Sequence, residues 1–201
     1  MGVLPEYRNM LAYIDSKVDG LSFTASQRNL TASALYDVAN EHGKAICTLF
    51  EKHLDASGFS MIRIQFDTFI RGAWLLHCST ESELKYFHEK DGIKLNFGEM
   101  VKAVEHSRDW PEQLSEIKAR SWRYLNSYTH GGQFQVSRRF DGKTIQAHHD
   151  AVQIDEAVRF SALLTFLGFC EMIEIANSTE SDKYPMELYE KVKGWIYDQM
   201  L

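Results

Sequence analysis

Residues 61–78 read MIRIQFDTFIRGAWLLHC. Ile62, Phe66, Phe69, Ile70, Ala73 and Leu76 recur at intervals of three and four, the period of an amphipathic helix rather than the period of two that marks a strand. Arg63, Asp67 and Arg71 form a second stripe at i, i+4 and i+8, where Asp67 is spaced to bridge both arginines. Such a ladder can brace a neighbouring site, form a dimer contact or serve as a structural feature alone.

The helical period extends outward from this segment. Upstream, a short helix is expected over Pro5–Val18. A long one follows, opened by Thr24 or Ser26 as N-cap and carrying Leu35, Val38, Ala39, Ile46, Leu49 and Phe50 on one side, with Ser57-Gly58 as its break. Downstream, residues 80–96 are polar with one weak helix around Leu84 and Phe87. A further short helix spans Phe97–Val104, and Asp109-Trp110-Pro111 opens one that reaches His130. Asp150 caps a strongly apolar helix running to about Asn177, and Pro185 opens a final one with Leu188, Val192, Trp195 and Ile196. The three prolines, Pro5, Pro111 and Pro185, all sit where helices begin, the position that tolerates a missing N–H.

One segment departs from this pattern. In QFQVSRRFDGKTIQA (133–147), Phe134, Val136 and Ile145 alternate with polar residues, and Asp141-Gly142 is a type I′ turn signal. The sequence therefore predicts an all-α chain, residues 1–201 as one domain. The architecture is a helical bundle of six to eight helices, with a small β-hairpin or extended arm over 131–149.

At 44% hydrophobic and 25% charged residues, the composition suits a packed globular core. The three cysteines are odd in number and form no C-x-x-C pair, so free, buried thiols in a reducing compartment are expected. MGVLPEYRNM lacks a cationic stretch followed by an apolar run. The longest apolar stretch, FSALLTFLGFC, falls short of the ~20 residues of a membrane span. A cytoplasmic location, with no membrane association, is the expectation. Net charge is −6, yet Lys118–Lys143 holds six of the 22 basic residues (Lys118, Arg120, Arg123, Arg138, Arg139 and Lys143) and one of the 28 acidic ones. A positive patch on an acidic body can hold an anion such as a phosphate, or can be a solvated face.

Within that patch lies Arg123-Tyr-Leu-Asn126-Ser-Tyr-Thr-His130-Gly-Gly. Seven residues are nearly two helical turns, about 10 Å of rise, so Arg123 and His130 share a face, with Asn126 between them. Gly131 suits the left-handed position that ends a helix. A cation, an amide and an imidazole on one face suit binding and proton transfer at a phosphodiester. His148 and His149, being adjacent, would point to opposite faces of a strand and not share a metal ion. No zinc, P-loop or dinucleotide motif occurs, and neither metal nor cofactor is expected. His77-Cys78 and Glu171-x-x-Glu174 read as packing and solvated-face residues.

The Arg-x6-His arrangement, with LNSYTHGG and the following FQVSRRF, resembles the HEPN superfamily (higher eukaryotes and prokaryotes nucleotide-binding), in particular uncharacterised bacterial HEPN-like families. Tyr124 follows the Arg where many members carry a small polar residue. The resemblance implies a small α-bundle, and in many members a metal-independent endoribonuclease that works as a homodimer in toxin–antitoxin or other defence systems. By that resemblance Arg123 and His130, assisted by Asn126, would be catalytic. Arg120, Arg138 and Arg139 would bind the RNA substrate, and Arg63, Asp67 and Arg71 would brace the site or the dimer. An antitoxin or defence protein would be a further partner. The rival reading is a non-catalytic binding or dimerisation module of the same fold.

Overall fold

The computed structural model describes residues 2–23, 25–147, 149–176 and 183–196. Thr24, His148 and Asn177, all named above, lie outside them. Among the described residues the chain forms nine helices and one two-stranded sheet: α1 Val3–Val18, α2 Gln27–Glu51, α3 Asp55–His77, α4 Glu81–Lys90, α5 Phe97–Ser107, α6 Gln113–Thr129, α7 Gln133–Ser137, β1 Phe140–Asp141, β2 Thr144–Ile145, α8 Ala151–Ile175 and α9 Lys183–Ile196. The all-α bundle with a small hairpin is the architecture expected from the hydrophobic period. The number of helices exceeds the expected range, and one of them, α7, is a single turn within the arm.

Helix α3 is the axis of the bundle, packing against α2, α5, α6 and α8, while α1 closes over α2, α8 and α9. The residues of its apolar stripe explain this: Ile62, Phe66, Phe69, Ile70 and Ala73 are all buried. Phe66 meets Phe97 of α5 and Phe160 of α8 edge-on, with ring centroids 4.9 and 5.0 Å apart, so one side chain ties three helices together.

The break between α2 and α3 falls earlier than Ser57-Gly58. His53 adopts the left-handed conformation at φ 56°, and the N–H groups of His53 and Leu54 close back on the carbonyls of Phe50 and Leu49. This is a Schellman termination made without glycine. Gly58 instead lies inside α3, where a Cβ would stand 2.9 Å from Phe50 Cζ; its role is close packing, not chain reversal. At the start of α2, Ser26 Oγ accepts from the Asn29 N–H, as an N-cap should.

The arm differs more. Phe134 and Val136 belong to a helical turn, not to a strand. The Gly132 carbonyl accepts from Gln135 and Val136, and Ser127 Oγ accepts the Phe134 N–H at 3.0 Å. A side-chain acceptor at that point lets the chain coil at once, an outcome that alternation of residue type does not reveal. The hairpin itself is two residues per strand, with Phe140 opposite Ile145 and Asp141 opposite Thr144. Its two-residue loop is therefore Gly142-Lys143, with positive φ at Gly142 alone (64°), the pattern of a type II′ turn rather than type I′.

Among the described residues, no helix is long and apolar enough to cross a membrane. The three cysteines are free, Cys47 buried and Cys78 and Cys170 partly so. Burial pushes the Cys47 thiol up to about 11 and the Cys170 thiol up to about 12, which keeps both protonated and unreactive near neutrality.

Candidate functional site

The site is built on the last turns of α6. That helix is fixed at its start by Glu105 of α5, a buried carboxylate that accepts from the Ser115 N–H at 2.9 Å and from the Ser115 hydroxyl. A buried acceptor there satisfies an otherwise unpaired N–H and complements the positive end of the helix dipole. The other end stops where the glycines predict. His130 is the C-cap, Gly131 is left-handed at φ 65°, and the Gly132 N–H closes on the Ser127 carbonyl at 2.7 Å.

Arg123 and His130 both reach solvent at this end of the molecule. Among the described residues His130 has no side-chain hydrogen bond or ion pair, leaving its imidazole available. The Arg123 guanidinium lies over the Phe134 ring, 5.3 Å from its centroid, and the half-exposed Tyr124 packs on the same ring at 4.4 Å. The short helix α7 thus makes an aromatic ledge beneath the cation. Arg139 and Lys143 are exposed on the arm beside exposed Phe140 and Ile145. Arg120 is exposed and paired with Glu116 at 3.1 Å.

Two expectations about supporting residues need correction. Asn126 does not bridge Arg123 and His130: its side-chain oxygen accepts from Arg63 Nε at 2.6 Å, and Arg63 also covers the Trp122 ring at 4.7 Å. The proximity of α3 to α6 decides this, since Arg63 reaches across the helix gap to the Asn126 side chain. For the same reason Asp67 does not bridge two arginines. It accepts from Arg71 Nε at 2.8 Å, while Arg63 turns to Asn126. Arg63 therefore braces α6 at the motif, whereas Asp67 and Arg71 form a local pair on α3.

Arg138 is half-buried and turns toward a cluster that sequence reading missed. His149, at the foot of α8, stacks against Phe59 (5.2 Å) and Tyr128 (5.9 Å), and Phe59 and Tyr128 stack on each other at 4.9 Å. Its Nδ1 is 3.5 Å from the Tyr128 hydroxyl, while its Nε2 and the Oδ1 of Asp55 are both buried with no hydrogen-bond partner. No spacing rule brings residues 55, 128 and 149 together. The only sequence hint is a histidine ending a basic arm.

Burial lowers the His149 pKa, with Arg138 and Arg139 acting in the same direction and Asp55 opposing; His42 is lowered by burial too. Both folded values lie below the ordinary 6.5, so the unfolded chain takes up protons first as pH falls. Their contribution to stability is complete above 6.5 and is lost as pH drops below it. The depressed carboxylates Glu83 and Glu187 act only below their ordinary 4.5. The urea midpoint should accordingly fall between pH 7.5 and 5.5, and H149Q should flatten that dependence. A midpoint that rises on acidification would contradict the assignment.

A second missed cluster lies at the opposite end of α3. Glu171, 1% exposed and thus no solvated-face residue, faces His77 Nε2 at 2.6 Å and Tyr36 Oη at 3.5 Å. Arg108 Nε stands 3.3 Å from Glu171 without the alignment of a hydrogen bond, and its terminal nitrogens hold Glu174 at 3.2 and 2.7 Å. Burial and the Glu171 charge push the Tyr36 hydroxyl well up.

No curated protein and no solved structure matches this sequence. A family model does, over residues 36–197, a span that takes in most of α2, the α6 motif, the arm, α8 and α9. The chain belongs to that family, described as a family of unknown function (DUF6988).

Proposed function

We propose that the exposed end of α6 and the following arm form an RNA-binding surface on which Arg123 and His130 cut the strand without a metal ion. The observation that carries this reading is an unpartnered, solvent-exposed His130 at a helix end whose neighbours are cations interleaved with aromatic rings. Single-stranded nucleic acid is held by that combination, with phosphates on the cations and bases on the rings. The HEPN-like resemblance belongs to this proposal, as do a bacterial, cytoplasmic setting and a homodimer that pairs two such surfaces. An antitoxin or defence protein would then regulate the activity.

In the reaction, His130 takes the proton of a ribose 2′-hydroxyl. The 2′-oxygen attacks the adjacent phosphorus, the P–O5′ bond breaks, and the departing 5′-oxygen takes a proton from water. Arg123 offsets the charge growing on the phosphoryl oxygens. The products are a 2′,3′-cyclic phosphate and a 5′-hydroxyl, and DNA resists because it lacks the nucleophile. Asn126, held by Arg63, positions α6 and takes no part in the chemistry.

Incubation of the protein with labelled RNA in EDTA tests this. H130A should lower the cleavage rate by about 10²–10⁴. R123A should also slow cleavage, and R138A/R139A should weaken RNA binding and reduce its salt dependence. Cleavage that survives in both H130A and R123A would sink the assigned roles. The second reading, a binding or dimerisation module, is favoured by exposed Phe140, Ile145 and Val152 near the arm. It predicts self-association or salt-dependent RNA binding with no cyclic-phosphate product.

A further inference from the structure

Arg123 and Tyr124 are consecutive on α6 and diverge by about 100° around its axis, yet both lie on the Phe134 ring. The guanidinium carbon is 5.3 Å and the Tyr124 ring 4.4 Å from the Phe134 centroid, with the two rings tilted by 49°. A tight return of the chain places Phe134 there. A Cβ on Gly132 would stand 2.6 Å from Ser127 Oγ and 3.1 Å from Ser127 Cα, so a glycine is needed for α7 to start this close to α6. The Ser127 hydroxyl then accepts the Phe134 N–H at 3.0 Å and fixes the turn.

The support is half-buried, but what stands on it is open. Tyr124 is 49% exposed and touches no second ring among the described residues. Arg123 is exposed, with no hydrogen bond or ion pair among the described residues. The one carboxylate of α6, Glu116, is engaged by Arg120 at 3.1 Å. A single exposed tyrosine is ordinary at a surface. Tyr124 differs because an unpaired guanidinium shares its support, which holds a planar ring and a phosphate-binding fork at a fixed spacing. A nucleotide offers the same two groups, a base and a phosphate.

We propose that Tyr124 is the base platform of this surface and selects an unpaired strand. The phosphate lies on Arg123, and an unstacked base of the same or the adjoining nucleotide lies on the outer face of Tyr124. A duplex keeps its bases stacked on one another and offers Tyr124 no free face, so the site takes single-stranded RNA and rejects double-stranded RNA. This inference rests on the RNA-cleaving reading above and adds to it the residue that sets the substrate class.

Binding of the full chain to probes that lack the attacking hydroxyl separates the platform from the chemistry. The probes are 2′-O-methyl oligo(U), an abasic-spacer oligomer with the same number of phosphates, and a 2′-O-methyl duplex, read by fluorescence anisotropy. The wild type should bind oligo(U) most tightly. Y124A should weaken oligo(U) by about tenfold, the size of one stacked base, and leave the other two probes unchanged. Y124F, which keeps the ring, should restore the affinity, and R123A should weaken all three probes. Equal oligo(U) affinity in wild type and Y124A, an equal loss on the abasic oligomer, or no oligo(U) binding by the wild type would each overturn the platform. Cleavage of labelled RNA in EDTA tells the two proposals apart. Tyr124-dependent oligo(U) binding by a protein that cuts no RNA upholds the platform and removes the nuclease. RNA cleavage together with equal oligo(U) affinity in wild type and Y124A does the reverse.

Discussion

Replacing Glu171 by alanine should cost about 3–5 kcal/mol of unfolding free energy, the range seen when one partner of a buried ion pair is removed. The carboxylate lies near the C-terminal end of α8 and gathers groups from three other helices: Tyr36 from α2, His77 from α3 and Arg108 from the end of α5. Truncation leaves these groups facing one another across a void. The His77 imidazole and the Arg108 guanidinium lose the acceptor that justified their partial burial, with side chains only 18% and 26% exposed. Arg108 retains Glu174 at the surface, which limits the loss on that side. E171Q keeps the volume and a hydrogen-bond acceptor and should cost less than E171A. Urea unfolding followed by circular dichroism measures both. A loss below about 1 kcal/mol in E171A, the size of an exposed pair, would show that the cluster does not anchor the bundle.

Gly43→Ala should be comparably damaging although it adds a single methyl group. A Cβ at this position would stand 2.5 Å from the Tyr7 hydroxyl, 2.7 Å from Thr165 Oγ1 and 3.1 Å from Gln65 Nε2. These atoms are not flexible ends. Tyr7 Oη bonds Ser161 and Thr165 at 2.8 Å each, Gln65 Nε2 donates to Thr165 at 3.0 Å, and Ser161 donates to Gln65 Oε1 at 2.7 Å. All four residues are fully buried, and burial pushes the Tyr7 hydroxyl up to about 12, so it stays a neutral donor. The methyl therefore costs about 1–3 kcal/mol of overpacking, and each displaced hydrogen bond adds about 1–3 kcal/mol more. Thermal unfolding of G43A, Y7F and the double variant reads this directly. Y7F removes the nearest clashing atom, so G43A should cost less in that background. Equal costs in both backgrounds would place the strain elsewhere.

Both clusters show why some of this protein was readable in its sequence and some was not. The three- and four-residue spacing of Ile62, Phe66, Phe69 and Ile70 announces α3, and these side chains form the core because burial of apolar area is cumulative and needs no exact partner. Gly131 announces the end of α6, because a left-handed residue is a local backbone requirement. By contrast, Gln65 sits on the same helix and reads as polar surface. It is fully buried because Tyr7, Ser161 and Thr165 arrive from α1 and α8 to satisfy it. Glu171 is the same case: a carboxylate four residues from a solvent-exposed face differs from a buried one only by what the other helices bring.

The candidate site divides along the same line. Local spacing was enough to bring Arg123 and His130 to one exposed helix end, since seven residues fix their relative direction. The partners of those residues depended on neighbours distant in sequence. Arg63 took Asn126 out of the motif, Phe134 came under Arg123 because Ser127 coiled the arm, and the Asp55 charge acts on His149 from nearly a hundred residues away in the chain. The sequence alone determined the helices, their apolar faces and the position of the motif, because these follow from backbone geometry and hydrophobic period. Only the tertiary structure decided which polar groups are paired, which are orphaned and which cavities remain, because a hydrogen bond requires two groups within about 3 Å, and only helix packing brings them that close.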